Sequence, residues 1–186
     1  LMLEKTKEIL KGLEVIAKIL DVKDAYIAIE DNKLSAIYAM ERTLRNTHAC
    51  LPAGSTIPNT KIAILRTKYP QGAEKQVIKS VLNRAVPAGG LPMDVGCIVQ
   101  NVGTAFAIYE AVYFGKPLIE RCITITGNCV REPINLLVRI GTYLSDLESS
   151  FGGFSKEPKK IIIGGPMMGI AQFTKDFPIT KGTGGI

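Results

Sequence analysis

Strand-like and helix-like segments alternate along the first 116 residues, and this alternation constrains the possible folds most. Short apolar runs are typical of strands, whereas apolar residues spaced about three to four apart are typical of amphipathic helices. Asp31-Asn32 opens the second helical segment. Because strands that alternate with helices form parallel sheets covered by those helices, we predict an α/β fold. The predicted helices are residues 2–20, 33–45, 73–83 and 102–114, and the predicted strands are residues 25–30, 61–67 and 95–100.

The pattern changes at Gly115-Lys116-Pro117, where glycine and proline interrupt the helical periodicity. The second part is predicted to contain extended runs at residues 120–126, 136–140 and 160–163 and a short helix over residues 142–147, capped by Thr142. A hairpin, a helix and a returning strand indicate a small α+β module of β-grasp type. We therefore predict two domains, an α/β domain over residues 1–116 and a β-grasp module over residues 117–186.

The net charge of +6 is spread along the chain rather than concentrated. Its densest cluster consists only of Lys156, Lys159 and Lys160. Nucleic-acid-binding proteins usually place their basic residues on one face, often with aromatic residues nearby. No apolar run approaches the roughly 18 residues that a membrane-spanning helix needs. We therefore predict neither a nucleic-acid partner nor a membrane span.

The cysteine and histidine residues do not form a recognisable metal-binding pattern. The four cysteines, Cys50, Cys97, Cys122 and Cys129, show no Cys-x-x-Cys spacing. The single histidine, His48, lies two residues before Cys50. A tetrahedral zinc site needs four ligands, and no second pair of such residues is available to complete one. We therefore predict reduced thiols and no metal ligands.

Familiar catalytic motifs are missing from the sequence. It contains no Gly-x-Gly-x-x-Gly after a strand, no Walker A loop, no His-Glu-x-x-His and no Gly-x-Ser-x-Gly. A Ser–His–Asp set would have to use His48, whose surroundings offer no obvious serine or acid. We therefore predict no catalytic side chain, and the sequence disfavours a stand-alone hydrolase.

The segment YPQGAEKQ, residues 69–76, joins a predicted strand to a predicted helix. Gly72 lets a ligand approach the backbone closely, and the helix start offers free N–H groups and the positive end of its dipole. Tyr69 can stack or donate its hydroxyl, and Glu74 can accept hydrogen bonds from a ring N–H or from ribose hydroxyls. An ordinary strand–turn–helix connection explains the same residues, with Glu74 complementing the helix dipole. Both interpretations stay open at this point.

The segment IVQNVGT, residues 98–104, is the second candidate for ligand binding. Gln100 and Asn101 lie where a predicted strand passes into a helix, the usual place of ligand contacts in open α/β sheets. Their amides offer donors and acceptors, which suits the edge of a flavin ring or a nucleobase. Alternatively, Asn101 merely caps the following helix, helped by Thr104. The segment PAGGLP between the two candidates is either a lid or a connection.

These motifs and others beyond them resemble the C subunit of the Rnf complex, the ion-translocating ferredoxin–NAD oxidoreductase of bacterial membranes. The resembling strings are TKYPQGAEKQ, VPAGGLPMDVGCIVQNVGTAFAIYEAV, GKPLIERCITITG, VRIGT, GGPMMG and TKGTGGI, which follow one another in this order. The fold that the resemblance implies is the flavin-binding domain of the NADH-oxidising (51 kDa) subunit of respiratory complex I, followed by a soluble-ligand-binding β-grasp (SLBB) module.

The resemblance also implies a set of contacts to flavin mononucleotide (FMN). In the complex I relative, a Tyr–Gly–Glu–Glu turn and an Asn–Asn–x–x–Thr turn hold FMN. Here Ala73 stands in place of the first acid, and Gln100 stands in place of the first asparagine. The implied cofactor-binding residues are Tyr69, Gly72, Glu74, Gln100, Asn101 and Thr104.

The implied function is electron transfer between NADH, FMN and iron–sulfur centres, coupled to ion translocation. The implied partners are the other membrane subunits of the complex and ferredoxin or NADH, and the implied location is peripheral, at the cytoplasmic face of the cell membrane. The family's glycine-rich nucleotide loop would precede residue 1, and its [4Fe-4S] cysteine clusters would follow residue 186. We therefore expect a central fragment that is inactive alone and holds FMN at low occupancy at most.

Two other functions agree with the same residues. A cobalamin reductase of the propanediol-utilisation type resembles the Rnf protein in layout. A docking scaffold would use the β-grasp module to bind a partner protein and would have lost its flavin. The genomic neighbours would separate the first alternative from an Rnf protein, and the flavin content of the purified protein would separate the second.

Overall fold

The computed structural model of the chain describes residues 1–49 and 59–186, with side chains described outside residues 47–58. It divides into two compact units, Leu1–Lys116 and Pro117–Ile186. Among the described residues, every helix is too short or too polar to cross a membrane. The side chain of His48, the thiol of Cys50 and residues 51–58 lie outside the described part.

The first unit alternates helices and strands, as predicted. Its helices are α1 (Thr6–Leu20), α2 (Leu34–Ala49), α3 (Glu74–Leu82) and α4 (Val102–Phe114), and its strands are β1 (Asp24–Glu30) and β2 (Asn59–Leu65). The two strands pair in parallel over their whole length, from Asp24 opposite Asn59 to Glu30 opposite Leu65. The parallel sheet is therefore present, with these two strands among the described residues.

The core of the first unit joins three helices to the sheet. The buried apolar residues of this core are Ile9 on α1, Ile29 on β1, Ala36, Ile37 and Met40 on α2, and Ala105 on α4. Helices α1 and α4 approach each other closely at Gly12, where a Cβ atom would collide with the backbone of Ala105. This contact holds the first turn of α4 against α1, and so it helps to position the segment that precedes α4.

The predicted strand at residues 95–100 is wrong. Pro92–Val95 form a 3₁₀-helix, and irregular chain follows it as far as Asn101. Proline favours the first helical position, and the Asp94 carboxylate accepts the N–H of Leu91 at 2.8 Å. Gly96 then ends the helix in the left-handed region, with φ of 67°. These local bonds outweigh the apolar pattern that suggested a strand.

The second unit consists of two antiparallel strand pairs around a small core. Strand β3 (Glu120–Ile125) pairs with β4 (Ile134–Arg139), and β5 (Ile161–Ile163) pairs with β6 (Ile170–Gln172). The most buried apolar residues are Ile123, Ile125, Leu144, Phe151 and Ile179. The short strand β6 was not predicted, because a strand of three residues leaves little periodicity in a sequence.

A 3₁₀-helix at Ser145–Phe151 replaces the short helix predicted for residues 142–147. Its N-cap residue is Leu144, whose side chain makes no capping hydrogen bond, so the predicted cap by Thr142 is wrong. The backbone of Thr142 instead accepts the N–H of Ile179 at 2.8 Å. Thr142 therefore contacts a distant segment of the chain and does not cap the helix.

Candidate functional site

The chain forms a compact turn between β2 and α3. We call residues 69–74, which end on the first residue of α3, the 69–74 turn. The N–H of Gln71 donates to the carbonyl of Lys68 at 2.8 Å, and the N–H of Ala73 donates to the carbonyl of Pro70 at 2.9 Å. The side chain of Gln71 is buried and donates through Nε2 to the Ser80 hydroxyl on α3 at 2.8 Å. The turn is thus tied to the helix that follows it.

The three candidate residues of the 69–74 turn are exposed. Tyr69 is 56% exposed, and Glu74 is the first residue of α3. Apart from Gly72 itself and its two chain neighbours, no described atom lies within 4 Å of the place where a Cβ of Gly72 would be, and its φ lies outside the left-handed region. Ala73 caps α3 without a side-chain hydrogen bond. The turn therefore presents an aromatic ring, an open stretch of backbone and a carboxylate beside a helix N-terminus.

Asp31 ties the start of this turn to the end of β1. Its Oδ1 accepts the backbone N–H of Thr67 at 3.0 Å and the hydroxyl of Thr67 at 2.6 Å. The hydrogen bond from the Thr67 hydroxyl lowers the pKa of the Asp31 carboxyl most, and the bond from the Thr67 backbone N–H lowers it further. The sequence suggested that Asp31-Asn32 opens the second helix, but α2 begins at Leu34. A polar residue at the carboxyl end of a parallel strand was the signal that could have identified Asp31.

The second candidate segment, which we call the 100–104 turn, begins α4. Asn101 is the N-cap residue, and its Oδ1 accepts the N–H of Gly103 at 2.9 Å. Its backbone carbonyl accepts the N–H groups of Thr104 at 2.9 Å and of Ala105 at 3.1 Å. The Asn101 side chain therefore caps α4, as one of the two interpretations of the sequence required, and ligand binding by the same residue stays a prediction. The cap uses Oδ1 alone, so the Nδ2 donors of Asn101 and the exposed side chains of Gln100 and Thr104 lie outside it.

The PAGGLP segment between the turns is held by a hydrogen bond at its first residue and by another just beyond its last residue. Lys75 on α3 donates to the carbonyl of Pro87 at 3.4 Å. Arg84, just after α3, donates to the carbonyl of Val95 at 2.8 Å. Gly90 lies so close to Asp94 that a Cβ atom there would be 2.9 Å from Oδ2. These bonds favour a fixed connection over a lid.

The two turns share a local design, although no hydrogen bond or ion pair in the described part of the chain joins them directly. Each lies at the N-terminus of a helix, where N–H groups and the helix dipole attract anionic or electron-rich groups. The described residues contain no group of three or more His, Cys, Asp or Glu that could hold a metal ion. The arrangement therefore suits non-covalent binding of a polar ligand.

Family models match both units of the chain. One described as the Nuo51 FMN-binding domain matches residues 1–110, and one described as the SLBB domain matches residues 122–171. The crystal structure of an NAD+-reducing [NiFe]-hydrogenase in its H2-reduced state shares the fold. Its TM-score is 0.80 at 17% identity, over 97% of this chain and 35% of that chain. The predicted fold class, an α/β flavin-binding-type domain followed by an SLBB module, is confirmed.

Curated relatives match over the full chain. They include the C subunits of the proton-translocating ferredoxin:NAD(+) oxidoreductase complex of Clostridium ljungdahlii, at 50% identity, and of the Na(+)-translocating complex of Acetobacterium woodii, at 41%. The C subunit of the ion-translocating oxidoreductase complex of Rhodobacter capsulatus is also 41% identical. The matches cover 100% of this chain but only 38%, 40% and 34% of these relatives, respectively. The predicted resemblance to the C subunit of the Rnf complex is thus confirmed, and the chain belongs to the family of the Nuo51 FMN-binding domain.

Proposed function

We propose that this chain belongs to an electron-transfer subunit of an ion-translocating ferredoxin:NAD(+) oxidoreductase complex, and that its first unit binds FMN through the two turns. The observation that carries the proposal is the match of the FMN-binding family model to residues 1–110, which include both turns. The proposed contacts are Tyr69, Gly72, Glu74, Gln100, Asn101 and Thr104.

The residues of both turns fit a flavin nucleotide. The open space beside Gly72 lets a flat ring approach the backbone. The exposed Glu74 carboxylate accepts hydrogen bonds from ring N–H or ribityl hydroxyl groups, and the Asn101 amide donates through Nδ2 while Oδ1 remains in the cap. The N-termini of α3 and α4 favour the phosphate. The polarity of these residues and the two helix N-termini suit the cofactor.

The protein residues would bind and orient the cofactor rather than react with it. When bound, FMN supplies hydride exchange with NADH and one-electron exchange with iron–sulfur centres. Tyr69 would stack on or hydrogen-bond the cofactor, Glu74 would place negative charge beside it, and Asn101 would fix its orientation. No side chain of this chain needs to form a covalent bond.

The partners and the location are part of the proposal, and the relatives' names support them only in naming subunits of ion-translocating oxidoreductase complexes. The partners would be the other subunits of the complex, together with ferredoxin or NADH. The protein would lie peripherally at the cytoplasmic face of the membrane, and [4Fe-4S] clusters would be held outside residues 1–186. The three relatives named above are all ferredoxin:NAD(+) or ion-translocating oxidoreductase subunits, which favours this function over a cobalamin reductase.

The flavin content of the full-length protein separates an electron-transfer subunit from a docking scaffold. The protein would be purified with its neighbouring membrane subunits, and the released flavin would be identified and counted per polypeptide. An electron-transfer subunit should carry FMN close to one equivalent after reconstitution. A protein that assembles fully but never takes up FMN would be a scaffold, and the proposed function would be wrong.

A further inference from the structure

We propose that Asp31 is a positioning residue for the 69–74 turn. Its carboxylate holds Thr67, and through Thr67 it orients Tyr69 and Glu74 for ligand binding. The part of the inference that concerns flavin rests on the proposed function. The part that concerns the order of the turn stands on the structure alone, and the two parts can be tested separately.

Asp31 continues the contact between the two strands beyond the end of their pairing. The parallel register ends at Glu30 opposite Leu65. The N–H of Asp31 then donates to the carbonyl of Leu65 at 2.8 Å. One oxygen of its carboxylate accepts both the N–H and the hydroxyl of Thr67, at 3.0 Å and 2.6 Å. Two donors on one charged acceptor fix the direction in which the chain leaves β2.

The path from Thr67 to the candidate contacts is short and internally bonded. Thr67 lies two residues before Tyr69, and the Gln71–Lys68 and Ala73–Pro70 backbone bonds follow at once. The buried Gln71 side chain then anchors the turn to α3. Those bonds are all local to the turn and α3. The two hydrogen bonds that the Asp31 side chain accepts from Thr67 tie this segment to the end of β1.

The opposite end of the same strand pair supplies a matched control. There Asn59 donates through Nδ2 to the Asp24 carboxylate at 2.9 Å. Both residues are exposed, as Asp31 and Thr67 are, and both lie at strand ends. If exposed carboxylates merely tie β1 to β2, removing Asp24 and removing Asp31 should have the same consequences. If Asp31 positions the turn, only its removal should affect ligand binding.

The first arm measures FMN affinity of the full-length protein by quenching of flavin fluorescence. We expect Asp31→Ala to raise the Kd about fivefold, which corresponds to the net contribution of roughly one ordinary hydrogen bond. Asp24→Ala should leave the Kd unchanged. Asp31→Asn should recover affinity to within about twofold, since the amide oxygen can still accept both Thr67 donors. Equal weakening by Asp24→Ala and Asp31→Ala, or no recovery in Asp31→Asn, would overturn the inference.

The second arm measures the turn without flavin, by hydrogen exchange of the backbone N–H groups of Gln71 and Ala73. We expect Asp31→Ala to speed their exchange several-fold, and Asp24→Ala to leave it at the wild-type rate. Unchanged exchange in Asp31→Ala would show that Asp31 does not order the turn. If exchange changes as expected but the wild-type protein binds no FMN, Asp31 still positions the turn, and it is the proposed function that fails.

Discussion

Asn101 shows how one side chain can serve the fold and a ligand at once. Its Oδ1 caps α4, while its Nδ2 donors lie outside that cap. The sequence left capping and ligand binding as alternatives, and the structure confirms the capping role. Because the two roles use different atoms, substitutions that keep the acceptor but remove the donors can separate them.

Two substitutions at Asn101 should therefore have different effects. Asn101→Ala should cost about 1 kcal/mol of unfolding free energy by removing the cap, and should also weaken FMN binding. Asn101→Asp keeps a good N-cap acceptor, so its stability should stay within about 0.5 kcal/mol of wild type, while FMN binding weakens. Denaturant unfolding and FMN titration of the same samples check both values. Wild-type FMN affinity in Asn101→Asp would show that the amide serves the cap alone.

The hydrogen-bonded carboxylate of Asp31 should contribute to the pH dependence of stability, and Asp31→Asn should lack this contribution. Hydrogen bonds from Thr67 depress the pKa of Asp31 in the folded state, with smaller contributions from the backbone of Asn32 and the charge of Arg66. In the unfolded chain the pKa returns to about 4, so at pH values between the two the unfolded state binds more protons. This contribution to stability is complete above about pH 4 and is lost as pH falls through the folded-state pKa.

Wild-type protein should accordingly lose more stability than Asp31→Asn when the pH is lowered from about 6 to about 3. The two proteins would be compared by denaturant midpoint at each pH, since the remaining carboxylates titrate in both. Parallel curves for wild type and Asp31→Asn would contradict the hydrogen-bonded carboxylate seen in the structure.

At the scale of elements, the close packing of α1 on α4 supports the 100–104 turn. A Cβ on Gly12 would collide with the backbone of Ala105. A Cβ on Gly72 would have no described atom within 4 Å apart from those of its chain neighbours. Gly12→Ala should therefore lower the free energy of unfolding by about 1–3 kcal/mol, because α1 and α4 must move apart.

Gly72→Ala is the matched control, because it adds the same methyl group in open space. It should change stability by less than about 0.5 kcal/mol yet weaken FMN binding, since the methyl group would occupy the space for the ring. Thermal unfolding and FMN titration distinguish the two variants. A large loss of stability in Gly72→Ala would show that this glycine serves the fold instead of a ligand.

The elements that the sequence predicted well are those with their own periodicity. The apolar spacing of α1 and α4 and the apolar run of β1 are local signals, and the predicted segments overlap the observed ones. The strand predicted at residues 95–100 failed because proline, aspartate and glycine form a 3₁₀-helix beside it. The place of Asp31 at the end of β1 was a readable signal, but its partner could not be read, because Thr67 is 36 residues away and no local pattern reports such a separation.

At the scale of the whole molecule, two compact units carry two different family matches. The first unit, Leu1–Lys116, contains both candidate turns and the match to the FMN-binding domain, and the second, Pro117–Ile186, contains the match to the SLBB domain. The chain spans less than half the length of the three curated relatives named above. Electron transfer is therefore proposed for the full-length protein, with FMN held by the first unit.

A fluorescence titration of the full-length protein decides whether the two turns hold FMN. Glu74→Ala combined with Asn101→Asp removes one proposed contact from each turn while keeping the cap of α4. Asn128→Ala combined with Asp146→Ala, in the second unit, is the control for removing an amide and a carboxylate outside the proposed site. We expect the first pair to weaken FMN binding at least about tenfold and the control pair to leave it unchanged. Wild-type affinity in the Glu74→Ala, Asn101→Asp protein would contradict the assignment of these turns as the flavin site.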